Sequence, residues 1–141
     1  MAMRVHVHAA IWIEDEIVVH SRTQRGHEHL SLPGGRVRER ETVYSALRRE
    51  VQEEIGFEIN IGDLALVGEV NGSSRHGVIL VFDAAFRDPG ALVARQLVRP
   101  GSPLAAAVLP PVIEQLVRSR STQPPAAARW IGNVYEASRL I

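Results

Sequence analysis

The sequence predicts an α/β domain in which helices pack on a mixed β-sheet. Apolar segments of strand type lie on both sides of one central amphipathic helix. A second helical segment follows late in the chain, and turn-forming residues separate the pieces. With 141 residues the chain is expected to form one domain over 1–141, able to bury most of its apolar surface without staples.

Arg4 to Ile13 alternates β-branched and other residues and predicts a strand. Glu14-Asp15-Glu16 predicts a turn and Ile17 to Ser21 a second strand, giving a hairpin. Arg22 to Glu28 is polar and is expected to be a loop. His29 to Leu32 is a short strand ending at Pro33. A Gly-rich loop and the central helix follow. Phe57 to Ile61 alternates, and Leu64 to Val70 predicts another strand. Asn71 to Ser74 is a turn signal, and His76 to Phe86 predicts a central strand that Asp88-Pro89-Gly90 breaks. Arg99 to Pro111 carries no clear signal. Pro110 or Pro111 opens a helix over Val112 to Arg118, since proline suits a first helical turn. Ser119 to Ala128 is expected to be a flexible linker before a C-terminal segment. There Trp130-Ile131-Gly132 returns as a short strand or covers an edge. No internal repeat is visible.

The central helix carries the chemistry. Val43, Leu47, Val51 and Ile55 recur every four residues, with Ala46 beside them, and form one apolar stripe. Thr42 is a natural N-cap and Gly56 a natural stop. Glu50, Glu53 and Glu54 stand at i, i+3 and i+4, so their carboxylates gather on one face. Like charges there repel by about a few tenths of a kcal/mol per pair on an open helix. Helix stability alone would not select this, but a hard cation such as Mg2+ or Mn2+ prefers such oxygen ligands and removes the repulsion. A solvated acidic face paired with Arg48 and Arg49 is the competing explanation. It leaves the Pro33-Gly34-Gly35 loop, Glu41 and Gly56 unaccounted for.

From Gly35 to Phe57 the residues follow the pattern G-x5-E-x7-R-E-U-x-E-E-x-G-U, U being a bulky apolar residue. Gly35, Glu41, Arg49, Glu50, Val51, Glu53, Glu54, Gly56 and Phe57 fill every position. This stretch resembles the Nudix box, and the chain resembles the Nudix hydrolases. The match is tight over Gly34 to Phe57 and looser over Arg4 to Phe86. The resemblance implies an α/β/α sandwich with a loop–helix–loop motif. It also implies metal-assisted hydrolysis of a diphosphate linkage in a nucleoside diphosphate joined to another group. It makes Glu50, Glu53 and Glu54 the metal-binding and catalytic carboxylates, one of them orienting or deprotonating the water. The carbonyl of Gly35 joins the coordination. Glu41 and Arg49 support the motif structurally, and the cofactor is Mg2+, with Mn2+ as substitute. The loop arginines Arg36, Arg38 and Arg40 are candidates to clasp phosphate. The implied partner is a small nucleotide, and dimers are common in the family.

Several family features are missing. Leu30 stands where many members carry an aromatic residue, and Ala91 to Leu104 holds neither the glutamate nor the tryptophan often found there. Asp83, Asp88 and Glu114 remain as candidates for a fourth carboxylate. Val70 to Ser74 lacks the proline or tyrosine of members acting on ADP-ribose or diadenosine polyphosphates. This leaves a nucleoside triphosphate or another small nucleotide as the expected substrate. A module that binds a nucleotide without cleaving it is the alternative, but such modules usually lose box acids and this chain keeps them all. An isomerase of prenyl diphosphates on the same scaffold uses a cysteine, which is absent here. His6 and His8 share a strand face and could line a base pocket. His27 and His29 flank Glu28 just before the box.

Formal net charge is zero and the pI is near 7.0, which argues against a nucleic-acid polymer as partner. All 16 basic residues are arginine, spread along the chain, and the lack of cysteine excludes thiol chemistry and disulfides. The N-terminal stretch lacks a signal-peptide core and the roughly twenty apolar residues of a membrane span. A cytoplasmic protein without membrane association is the expectation.

Overall fold

The computed structural model describes residues 2–24, 26–72, 76–88, 90–91, 96–121 and 128–134. Strands β1 (Arg4–Ile13), β2 (Glu16–Gln24), β3 (His27–Ser31) and β4 (Gly34–Arg36) precede helix α1 (Val43–Ile55). Strands β5 (Ile59–Asn71), β6 (His76–Phe86) and β7 (Gln96–Val98) follow. Helices α2 (Pro103–Ala106) and α3 (Ile113–Ser121) and strand β8 (Arg129–Asn133) complete the order. The strands join in a mixed sheet ordered β3-β2-β1-β6-β5-β8, with β4 on β1 and β7 on β2. β6 is central, as its long apolar run predicts, and lies parallel to β1 and antiparallel to β5.

Helices cover both faces. On one, Ala46, Leu47 and Val51 of α1 pack against Val7, Ala9 and Ile11 of β1, Val18 of β2 and Phe82 of β6. On the other, Ala105 of α2 and Ile113 and Leu116 of α3 pack against Ala10, Leu66, Ile79 and Val81. This is the expected α/β/α sandwich. The apolar stripe of α1 orients the helix: Leu47 and Val51 are fully buried, each contributing about 1.5–3 kcal/mol. Its ends also match expectation. The Thr42 hydroxyl accepts from Ser45 N–H at 3.1 Å, and Gly56 caps the far end with φ 85°, a left-handed conformation that suits glycine.

The polar segment Arg22 to Glu28 departs from the loop expectation. β2 runs on to Gln24 and pairs with β3 through Arg22↔His29 and Gln24↔His27. Cross-strand pairing satisfies the backbone there, so polar side chains need not end the strand. The segments Phe57 to Ile61 and Leu64 to Val70 belong to one strand, β5, whose register shifts between Ile61 and Leu66 absorb the interruption. The unassigned region Arg99 to Pro111 contains α2, whose Ser102 cap accepts from Ala105 N–H at 3.2 Å. α3 continues to Ser121, and the rest of the expected linker up to Ala127 lies outside the described residues. So do Ser73 and Ser74 of the expected turn and Pro89 of the expected break. β8 adds to β5 in parallel, through Val67↔Trp130. No helix among the described residues is long and apolar enough to cross a membrane.

β4 matters most for position. β2 leaves β1 after the Trp12↔Ile17 and Ile13↔Glu16 pairs, and β4 takes the vacated edge through His8↔Gly34, Val7↔Gly35 and His6↔Arg36. His8 is buried beneath this junction, its Nδ1 3.2 Å from the Leu32 carbonyl. Burial lowers the His8 imidazole from 6.5 to about 3, against the raising influence of that carbonyl. Its contribution to stability is therefore complete above the unfolded value and is lost as pH falls toward the folded value. The slope is about 1.4 kcal/mol per pH unit. Urea midpoints measured from about pH 7 down to 4.5 should fall more steeply in the wild type than in His8→Asn, which keeps a donor for Leu32. Parallel slopes would contradict burial of a neutral imidazole.

Candidate active site

Three pieces of chain converge on the polar face of α1. The helix supplies Arg49, Glu50, Glu53 and Glu54. β4 supplies Gly35, the loop after it supplies Glu41, and β2 supplies His20 and Arg22.

Arg49 is the hub. Its Nε donates to Glu41 Oε2 at 2.7 Å and one terminal nitrogen donates to Glu41 Oε1 at 3.0 Å, a forked contact. That nitrogen also donates to the Arg36 carbonyl at 3.2 Å. The other reaches Glu50 Oε1 at 2.9 Å and Glu53 Oε2 at 3.4 Å. Glu41 Oε1 accepts in addition from the Arg38 N–H at 2.9 Å. The Arg49 hydrogen bond, and then the Arg38 N–H, bring the Glu41 carboxyl down to about 2. The same contact with Glu41 raises the Arg49 guanidinium above its ordinary value. One guanidinium thus joins loop, strand end and helix.

Glu54 is the most enclosed of the helix acids, with 9% of its side chain exposed. It accepts from Arg22 at 3.2 Å and from the Gly34 N–H at 3.3 Å, and its Oε2 abuts His20 Nε2. That buried nitrogen makes no hydrogen bond among the described residues. Arg22 also donates to the Gly34 carbonyl at 3.1 Å and approaches Glu50 Oε2 at 3.8 Å. Glu53 is the open member, 53% exposed.

Glu50 leans onto Gly35. A Cβ at that glycine would lie 2.6 Å from Glu50 Oε1, so the backbone approaches the carboxylate as only glycine permits. Burial, followed by the hydrogen bond shared with Glu54, raises the Glu50 carboxyl above its ordinary value, against Arg49. Among the described residues, Glu41, Glu50, Glu53 and Glu54 form salt bridges with two guanidinium groups, those of Arg22 and Arg49, and the charge of Arg38 also acts on Glu41, so negative charge is in excess. Among the described residues, no three of these side chains are grouped as they would be around a metal ion.

The three loop arginines separate. All are exposed, but only Arg36 and Arg38 line a recess of about 410 Å3, together with Arg4, Met3, Val5, Val37 and Glu39. Arg40 is outside that lining, on a turn with φ 65°. Of the histidines, His8 is buried against Leu32 and His6 sits opposite Arg36 in the β1–β4 register. His29 lies opposite Arg22. The candidates for a fourth carboxylate do not join the cluster. Asp83 is influenced by Asp63 and Arg120, Asp88 accepts from the Gly90 N–H, and Glu114 pairs with Arg118 on α3.

His20 and Arg22 escaped sequence reasoning. Their i, i+2 spacing places both on one face of β2, but the polar run from Arg22 predicts a loop beyond the strand end.

A family model described as the NUDIX domain matches residues 3–106. No curated protein gives a sequence match. Among solved structures, a Nudix hydrolase from Nitrosomonas europaea is similar with a TM-score of 0.72 and 17% identity, over 94% of this chain and 81% of that one. A MutT Nudix hydrolase from Burkholderia pseudomallei is 27% identical with a TM-score of 0.57, over 71% and 77%. An ADP-ribose pyrophosphatase from Streptococcus suis is 16% identical with a TM-score of 0.66, over 92% and 100%. The domain match spans strands β1 to β7, the glycine loop and the acidic helix alike, and on that ground the chain belongs to the Nudix family.

Proposed function

We propose that the chain, a Nudix pyrophosphohydrolase, uses Glu50, Glu53 and Glu54 with a divalent cation to cleave the diphosphate linkage of a small cytoplasmic nucleotide. A nucleoside triphosphate is the substrate this reading favours. The observation that carries it is the excess of carboxylate over guanidinium on one helix face, packed against a glycine that leaves room for nothing but backbone.

The donor set fits Mg2+ or Mn2+. It is all oxygen, from Glu50, Glu53, Glu54 and the Gly35 carbonyl, and its net negative charge is what such an ion neutralises. When bound, the ion supplies charge neutralisation on phosphate oxygens and a lowered pKa for water. The chain's own residues do the rest. A water oxygen bonds to one phosphorus as the bridging P–O bond breaks. The leaving phosphate departs with that electron pair, and the water proton passes to Glu53 or Glu54. Glu54 is fixed by Arg22, His20 and the Gly34 N–H, whereas Glu53 is open to solvent. Glu41 and Arg49 hold loop and helix in register, so the acids are pre-placed and little reorganisation accompanies the reaction. Arg36 and Arg38 extend the binding surface toward phosphate, and Arg40, on its separate turn, is assigned a weaker part in it.

The test is turnover of nucleoside triphosphates, dinucleoside polyphosphates and nucleotide sugars with Mg2+ or Mn2+. Glu53→Gln and Glu54→Gln should each keep the fold by circular dichroism, and the variant that removes the proton acceptor should lose about 10²–10⁴-fold in kcat. Normal turnover in both would overturn the roles. If the folded wild type cleaves nothing in the panel but binds a nucleotide, the chain is a binding module instead.

Gly35→Ala isolates the close approach. A methyl group 2.6 Å from the Glu50 carboxylate must displace that flexible side chain and not the core. The expected result is a native circular dichroism spectrum with kcat lowered by about a hundredfold. Unchanged kcat would show that Glu50 need not stand where it does.

A further inference from the structure

We propose that Arg22 is an exchangeable surrogate cation: its guanidinium sits on oxygens that a divalent ion also takes, so the strength of its contacts sets the ion affinity of the site. The inference rests on the metal reading of the carboxylates above and adds the residue with which the ion competes.

One nitrogen of Arg22, Nη2, donates to the Gly34 carbonyl at 3.1 Å and to Glu54 Oε1 at 3.2 Å, and stands 3.8 Å from Glu50 Oε2. Oxygens from β4 and α1 thus surround one positively charged group, and those of Glu50 and Glu54 belong to the donor set proposed for the ion. A hard cation needs its oxygens at about 2.0–2.6 Å. A guanidinium nitrogen among the same oxygens holds them farther out, so the two cations exclude each other. Arg22 reaches this position from β2. It shares the helix-facing side of that strand with His20, whose Nε2 abuts Glu54, and with Val18, which is buried in one cluster with Leu47 and Val51 of α1.

The two arginines of the site differ in what else holds them. Arg49 forks onto Glu41, which lies outside the donor set, and its side chain is 18% exposed. Release of Glu50 and Glu53 leaves that fork intact. Arg22 has no such anchor. Among the described residues its hydrogen bonds and ion pairs go to Gly34, Glu50 and Glu54 alone, and 38% of its side chain is exposed. It can swing toward solvent by giving up these contacts only. Glu54 does not follow it, because Oε2 accepts from the Gly34 N–H, and Gly34 is fixed by its pairing with His8. Oε1 is left as the oxygen that changes partner. Glu50 and Glu54 stand at i, i+4 and repel each other once Arg22 leaves, so the favourable exchange is one cation for another.

Manganese binding to the purified, EDTA-treated protein tests this without any substrate. Free Mn2+ is read by electron paramagnetic resonance during titration of the wild type, Arg22→Gln and Arg38→Gln. If Arg22 holds the oxygens about nine-tenths of the time, its removal tightens Mn2+ binding about tenfold. Arg38→Gln takes away a charge that acts on Glu41 but vacates no oxygen of the donor set, and it keeps the backbone N–H bond to Glu41. Its Mn2+ affinity should stay within about twofold of the wild type, as expected of an exposed charge in screened solution. The melting temperature gives a second readout. In EDTA, Arg22→Gln should melt below the wild type, and a fixed Mn2+ concentration should raise its melting temperature by more. Arg22→Met, which keeps the aliphatic stem, carries the same expectations should Arg22→Gln fail to fold. Equal or weaker Mn2+ binding in the Arg22 variant overturns the exchange and makes Arg22 a support of the ion site, while the metal reading stands. Equal tightening in Arg22→Gln and Arg38→Gln also overturns it, since loss of charge alone then explains the change. No Mn2+ binding by any of the proteins defeats the metal reading itself, and the exchange with it.

Discussion

The contact between Arg49 and Glu41 is the constraint on which the site depends. One guanidinium fork fixes a loop carboxylate, and its remaining donors reach the Arg36 carbonyl, Glu50 and Glu53. Without it, the glycine strand and the acidic helix would still meet through the Gly34 N–H to Glu54, the Arg22 bridge from the Gly34 carbonyl to Glu54 and the close approach of Gly35 to Glu50, but Glu41 and its loop would lose their tie to the helix. A lysine has one point charge and cannot span this geometry, which gives a physical reason for arginine at this position.

The rest of the arrangement follows from charge. α1 turns its apolar stripe to the sheet and so must turn Glu50, Glu53 and Glu54 outward beside the β4 loop. Among the described residues, two arginines and one imidazole are in ion-pair contact with the four carboxylates, too few for neutrality. The excess is unfavourable for the protein alone, and on the proposed reading a cation and a diphosphate relieve it. The buried stripe on the opposite side of the helix offsets the stability given up at the acidic face.

Much of this was legible in the sequence because its signals are local. The stripe from Val43 to Ile55, the Thr42 cap and the Gly56 stop all act within a few residues, and helix α1 has the bounds they imply. The spacing of Glu41, Arg49 and the glutamates encodes a contact that the structure shows directly. What escaped was non-local. β4 is three residues long and exists because β2 leaves the edge of β1, which no window around Gly34 reveals. His20 and Arg22 enter the site only because β2 continues to Gln24 through pairing with β3, while their polar neighbours suggest a loop. Arg4 is distant in sequence from Arg36 and Arg38 and joins them only through sheet register.

The central claim is that these glutamates exchange arginine for a divalent ion. Anomalous diffraction from crystals soaked in Mn2+ tests it most directly. The account predicts a peak at about 2.0–2.6 Å from oxygens of Glu50, Glu53 and Glu54, with Arg49 still on Glu41 but withdrawn from Glu50. Absence of any peak, with Arg22 and Arg49 still holding the carboxylate oxygens at saturating Mn2+, would contradict it.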